Sequence, residues 1–348
     1  MSVEISTGKT PATGTRQRFA GSIWTLVFLS PVIAEVLSGS TRTSILFVLI
    51  PEMMVWGVGA LLCRELVRRW RAGALSLLLL GLALSIAEEF LIQQTSIAPL
   101  PFPGSHAGFG RMAGINLVYL LFMLGFESVW VVVIPVQVTE LIFPGRRELP
   151  WLRLRGWIVS SVVFLFGCRI AWYGWVRQAR PRLGAAPYQP PIGYLVAGLA
   201  AIAALIGLAY LLRNLGQPVA KGGAAPAWLT GVIAFVLGAA WFELIGQIFV
   251  PKPWGTPAQE LLAGSAWALV ALTLFTRWAG RKAFTDGHRF AACWGATLAC
   301  QAMPYYTIAS WPRIDITGKV FFDLAALALF AWLGTKGMRR RNSEVTAG

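Results

Sequence analysis

Apolar runs of about twenty residues alternate with short polar stretches along most of the chain. A hydrocarbon layer of ~30 Å needs about 20 helical residues to cross it. By that ruler the pattern predicts ten spans, near 19–38, 44–63, 74–95, 113–142, 156–177, 192–212, 227–250, 258–278, 288–305 and 318–336. The expected fold is all-α: a polytopic transmembrane bundle over 19–336, with a flexible polar tail at 1–18 and a basic tail at 337–348. The fourth run is long and holds Pro135, which predicts a kink or a tilt. The ninth is the weakest and ends at Pro304, so a full span and a re-entrant segment are both open. The first run has no clear cleavage site at its exit and reads as an uncleaved span.

The polar stretches set the orientation. With the N-terminus inside, the inner segments hold 21 Lys and Arg and the outer segments 8, with Arg169 left inside the fifth span. This bias puts both termini in the cytoplasm. The loops are too short for a soluble domain, and the longest outer ones are rich in Pro and Gly. A Gly/Ala break at 216–227 is a candidate seam between two parts of the bundle. Span three (Glu89, Gln93) is echoed by span seven (Glu243, Gln247). Each Glu precedes a Gln by four residues, on one helix face.

Composition agrees with this pattern. The chain is 56% hydrophobic and 13% charged, with a mean hydropathy of +0.63. Soluble domains carry about 25% charged residues. The net charge of +15 follows from topology, so nucleic acid is not an expected partner; membrane lipid is. The four cysteines form no CxxC, and the two histidines have no ligand neighbour at helical spacing. No metal site and no cofactor are expected. The cell address is the bacterial inner (plasma) membrane, crossed many times.

The candidate chemistry is the acids inside the spans. Glu88 and Glu89 are adjacent in a helix made mostly of Leu, Ile and Ala. At ~1.5 Å per residue Glu88 lies ~21 Å from the inner boundary. Glu127, Glu243, Arg169 and Glu52 come out at the middle or in the outer half of their spans, with Glu35 near the outer end of its own. Ionisable groups inside spans mark a site or a fixed packing contact. Arg169, at a similar depth, is the expected partner of the Glu pair. The Arg64-Glu65-x-x-Arg68-Arg69 stretch reads as an interfacial anchor.

The segment from Gly81 to Gln93, GLALSIAEEFLIQ, resembles the first motif of the CAAX-processing and bacteriocin-immunity type membrane proteases, E-E-x-x-x-R. The resemblance implies that Glu88 and Glu89 activate water for peptide hydrolysis, with Gln93 where the family has Arg. The family's later histidines are missing: the fourth span offers Phe122, Phe126 and Glu127. On this reading Glu88, Glu89, Glu127, Gln93 and Arg169 form the catalytic set, and Glu35, Glu243 and Gln247 are binding residues. The substrate would be a membrane-associated peptide. The alternatives are a proton-coupled carrier of a small solute that uses the same acids, and a non-catalytic partner or immunity-type protein.

Overall fold

The computed structural model describes residues 13–101, 109–186, 188–215, 223–246 and 253–346, with side chains described from Ala20 to Lys336 within them. His106, Gln247, Lys252 and most of the 216–227 break lie outside the described residues. Among the described residues ten long helices follow one another: α1 (Thr13–Pro31, continued by Val32–Val36), α2 (Thr43–Arg69), α3 (Ala74–Ile92), α4 (Leu117–Ile142) and α5 (Leu154–Arg182). Then come α6 (Ile192–Leu211), α7 (Ala227–Ile245), α8 (Pro257–Ala279), α9 (Asp286–Ala302) and α10 (Arg313–Thr346). Eight of them are long and apolar enough to cross a membrane. The other two are α1, apolar over Ala20–Val36, and α9, with 17 residues. A two-residue antiparallel hairpin, β1 (Arg111–Met112) with β2 (Ile115–Asn116), leads into α4.

Loop contacts show that the helices run up and down. The loops after α2, α4, α6 and α8 meet on one face. Gly73 N–H donates to the Arg213 carbonyl at 3.1 Å, Arg147 pairs with Asp286 at 2.6 Å, and Arg281 donates to the Gly223 carbonyl at 3.0 Å. The loops after the odd-numbered helices meet on the other. Ser44 N–H donates to Asp315 at 2.8 Å, Arg180 to the Pro99 carbonyl at 2.8 Å, and Tyr194 to the Ala113 carbonyl at 2.7 Å. We call these the even-loop and odd-loop faces.

The core is α3 and α4. In their most apolar windows 67% of α3 and 61% of α4 is buried, against 6% of α5 and 11% of α6 and α8. α4 is the hub and packs on α1, α2, α3, α7, α8 and α9. Lipid is as apolar as leucine, so helices in it associate by close packing and by hydrogen bonds between them. Gly57 of α2 supplies the first: a Cβ there would overlap the Val27 carbonyl of α1. Ser76 supplies the second, donating to the Ala209 carbonyl of α6 at 2.8 Å, and Trp130 donates to the Ala296 carbonyl of α9 at 2.9 Å.

At the even-loop end, Arg64 is buried rather than interfacial. Its guanidinium bonds Glu65 at 2.8 Å, Glu140 at 3.2 Å, and the carbonyls of Arg147 (2.7 Å) and Leu149 (2.9 Å), and lies 3.5 Å over Trp151. Glu65 accepts from Trp151 N–H at 2.8 Å and Leu152 N–H at 3.0 Å. The sequence expectation of a surface anchor fails because α2 turns this face onto α4 and its following loop, not onto headgroups.

Candidate functional site

Among the described residues five helices carry a widened, π-helical turn: one, Tyr173–Ala179 of α5, stands apart from the acids, and each of the other four holds or adjoins one of the buried acids. These four are Val32–Val36, which contains Glu35; Met53–Gly57, preceded by Glu52; Glu88–Ile92, which begins with Glu88 and Glu89; and Glu127–Val133, which begins with Glu127. Single π turns inside α-helices often mark functional sites. Proline explains part of the pattern. Pro135 has no N–H for the carbonyl four residues back, at Val131. Ser30 of α1 takes that carbonyl instead, at 2.7 Å. Pro31 and Pro51 stand just ahead of two of the other turns.

These turns face one another. Glu88 lies within electrostatic reach of Glu89, Glu35 and Glu52; Glu127 of Glu89, Glu88 and Glu35; and Glu35 of Glu52. Four of the five carboxylate residues are almost wholly inaccessible: Glu52 is 3% exposed, Glu88 2%, Glu89 0% and Glu127 2%. Glu35 is half-buried. Glu88, Glu89 and Glu127 thus lie near one another, and Glu35 joins them.

The two adjacent acids are held differently. Gln94 adopts φ +62°, which turns the chain back on itself after α3. Thr95 and Ser96 then meet Glu89: Thr95 Oγ1 donates to Oε2 at 2.8 Å and Ser96 Oγ to the same oxygen at 2.6 Å. The Ser96 carbonyl accepts from Asn116 N–H at 2.8 Å, and the Asn116 side chain caps α4 by accepting from Tyr119 N–H at 2.9 Å. Tyr119 puts its phenol beside Glu89 and Thr95. Neither oxygen of Glu88 nor either oxygen of Glu127 has a hydrogen-bond partner among the described residues. Gln93 lies near Glu88, and Ser85 near Glu127, without either making a hydrogen bond to it. Glu52 is fastened by the Thr41 hydroxyl.

Other candidates lie elsewhere. Arg169 is exposed on α5 and stacks on Trp172, 4.6 Å away, so its depth matches the cluster but its direction does not. Glu243 is exposed near the odd-loop end of α7, against the Tyr306 phenol, whose pKa this contact raises. The echo between α3 and α7 thus brings no second acid to the cluster. No group of three or more His, Cys, Asp or Glu among the described residues is placed to hold a metal ion.

Sequence reasoning passed over the cation on the far side of the cluster. Lys319 of α10 donates to both oxygens of Asp323 at 2.5 Å and to the Gln301 carbonyl at 3.0 Å, and Tyr305 donates to Asp323 at 2.8 Å. Cys300 of α9 lies within electrostatic range of this pair and of Glu35. A narrow crevice at the odd-loop face is lined by Val36, Thr41, Arg42, Trp311, Asp315 and Lys319. Thr41, whose hydroxyl fastens Glu52, is among the residues that line it. The signal in the sequence was Lys319 and Asp323 four residues apart at the start of an apolar run.

The fold and these buried acids define a polytopic helical membrane protein. Residues 25–173 match an uncharacterized membrane protein family. The matched part runs from α1 into α5 and contains all five clustered glutamates. It is this family, not the CAAX-type proteases, that the chain resembles by this comparison. No curated protein and no solved structure matches the chain.

Proposed function

We propose that the protein couples proton binding at the glutamate cluster to movement of a small solute across the membrane. The observation that carries this reading is the convergence of Glu35, Glu52, Glu88, Glu89 and Glu127 from four helices. Glu88 and Glu127 have no donor among the described residues. A carboxylate in such surroundings changes its charge by taking or giving a proton, and that change alters how strongly neighbouring helices repel. The π turns supply backbone able to shift as it does so, and the Thr41–Lys319 crevice supplies an approach from the odd-loop face. Glu88 and Glu127 are the proton carriers on this reading. Glu89 is a fixed acceptor, oriented by Thr95 and Ser96.

Hydrolysis is the second reading, favoured by one feature: a Glu oriented by two hydroxyls next to a Glu that is not. It needs water at the pair and a donor for the forming oxyanion. Arg169, the expected donor, points to the outer surface of α5. The two readings separate in one experiment on purified full-length protein in proteoliposomes. An imposed pH gradient is expected to drive uptake from a panel of small solutes, with Glu88→Gln and Glu127→Gln abolishing it. Cleavage of membrane-anchored peptides, lost in Glu88→Gln and Glu89→Gln without any gradient-driven uptake, would put hydrolysis in its place.

A further inference from the structure

The basic and aromatic residues on the outer surface of α5 have no part in the glutamate site. α5 stands at the rim of the bundle, with Val162 60% exposed, Leu165 66% and Phe166 60%. That face is lipid-facing in a membrane. One turn further on, the same surface presents Arg169, Tyr173 and Arg177, all exposed, around a half-buried Trp172. The Arg169 guanidinium lies 4.6 Å from the Trp172 ring centre and 5.7 Å from that of Tyr173; Arg177 lies 5.6 Å from Trp172. Neither arginine is in an ion pair or a hydrogen bond among the described residues. Arg180 differs: it is buried and donates to the Pro99 carbonyl at 2.8 Å.

Two structural facts bring the arginines together. In an unbroken α-helix, eight residues would set Arg177 about 80° round from Arg169. The π turn at Tyr173–Ala179 rotates less per residue and brings both guanidinium groups over one indole. In addition, the Arg169 guanidinium lies against the rings of Trp172 and Tyr173, which follow it in the chain toward the odd-loop end. Long cationic side chains bury their stems in hydrocarbon and keep the charge near headgroups. A guanidinium at this depth lacks a counter-anion from the described chain, and the membrane supplies one chemistry that fits: a phosphate diester, taken in the forked geometry arginine prefers.

We propose that Arg169 and Arg177, on the Trp172 platform, form a headgroup site for an anionic phospholipid of the leaflet at the odd-loop face. The site commits to lipid rather than free phosphate, because the acyl chains would lie along exposed Val162, Leu165 and Phe166 just below it.

The test is native mass spectrometry of the full-length protein in detergent with phosphatidylglycerol, compared with phosphatidylcholine of the same chains. Unaltered protein is expected to keep a phosphatidylglycerol adduct in preference to phosphatidylcholine. R169Q/R177Q is expected to lose it by about tenfold or more, the scale of one charge-assisted hydrogen bond. R153Q/R155Q, the same charge change at the other end of α5, is expected to keep it. Should the double variant fold poorly, R169K serves, since it retains the charge without the fork; its retention is expected to fall several-fold. The proposal is overturned by undiminished retention in R169Q/R177Q or, if that variant does not fold, in R169K. Equal retention of both lipids, or displacement of the adduct by 10 mM-scale inorganic phosphate (about the level that would fill a free-anion site), also overturns it.

Discussion

Arg64→Ala gives the most direct measure of how the bundle is held at its even-loop end. The substitution removes the pair with Glu65 at 2.8 Å, the bond to Glu140 at 3.2 Å, three bonds to loop carbonyls and the stack on Trp151. What survives limits the damage. Glu65 keeps two backbone N–H donors, and Glu140 keeps Arg68, at 2.5 and 3.0 Å. Breaking a buried ion pair from one side costs about 3–5 kcal/mol, because the remaining charge stays buried. An exposed interfacial arginine would cost about 0–1 kcal/mol. The expected loss for Arg64→Ala is therefore about 3–5 kcal/mol. Arg68→Ala, at a side chain 16% exposed, is expected to cost less, about 1–3 kcal/mol. Unfolding by SDS in mixed micelles, followed by circular dichroism, measures both. A loss under about 1 kcal/mol for Arg64→Ala refutes the buried role of Arg64 and restores the anchor reading.

Three further outcomes are expected. Gly57→Leu should destabilise the bundle by about 1–3 kcal/mol or more, since the first added carbon already meets the Val27 carbonyl; equal stability in the same SDS titration would contradict the α1–α2 contact. Ser96→Ala should cost about 1.5–3 kcal/mol through the donor lost at Glu89, and should lower gradient-driven uptake less than Glu88→Gln does; an uptake loss equal to that of Glu88→Gln would remove the division between carrier and fixed acceptor. Tyr188→Cys should label with a membrane-impermeant thiol reagent from outside and Arg281→Cys only from the cytoplasm; the reverse pattern would overturn the orientation drawn from the basic residues.

The spans were legible because their cause is local. Twenty apolar residues cross the membrane whatever surrounds them, and α3 and α4 appear where hydropathy put them. Depth was legible for the same reason: counting residues placed Glu88, Glu127 and Arg169 at similar heights. Direction around the helix was not. Rotation depends on which face each helix packs, and each π turn resets it. That is why Glu127 reaches the cluster and Arg169 does not. Thr95 and Ser96 were missed because they follow the end of α3 and return to Glu89 only through the positive φ of Gln94. Lys319 was counted as a loop cation, whereas it is buried against Asp323.

The π turns tie these observations together. Each widened turn puts a residue out of step with the α-helical ladder, and a lasting one needs something to gain from the altered geometry. Proline offers a local cause near Pro31, Pro51 and Pro135. The turn at Glu88–Ile92 has no proline in or just before it, so that explanation stops at α3. What this turn does achieve is visible at its end: Gln93 and Gln94 N–H both reach the Glu88 carbonyl, at 3.0 and 3.2 Å, and the chain then folds back to set Thr95 and Ser96 on Glu89. Regular α-helix through Gln94 would carry those hydroxyls onward along the axis, away from Glu89. The backbone irregularity in α3 and the unequal holding of its two glutamates therefore have one cause. A change that restored a regular helix there would alter the glutamate pair without touching either carboxylate.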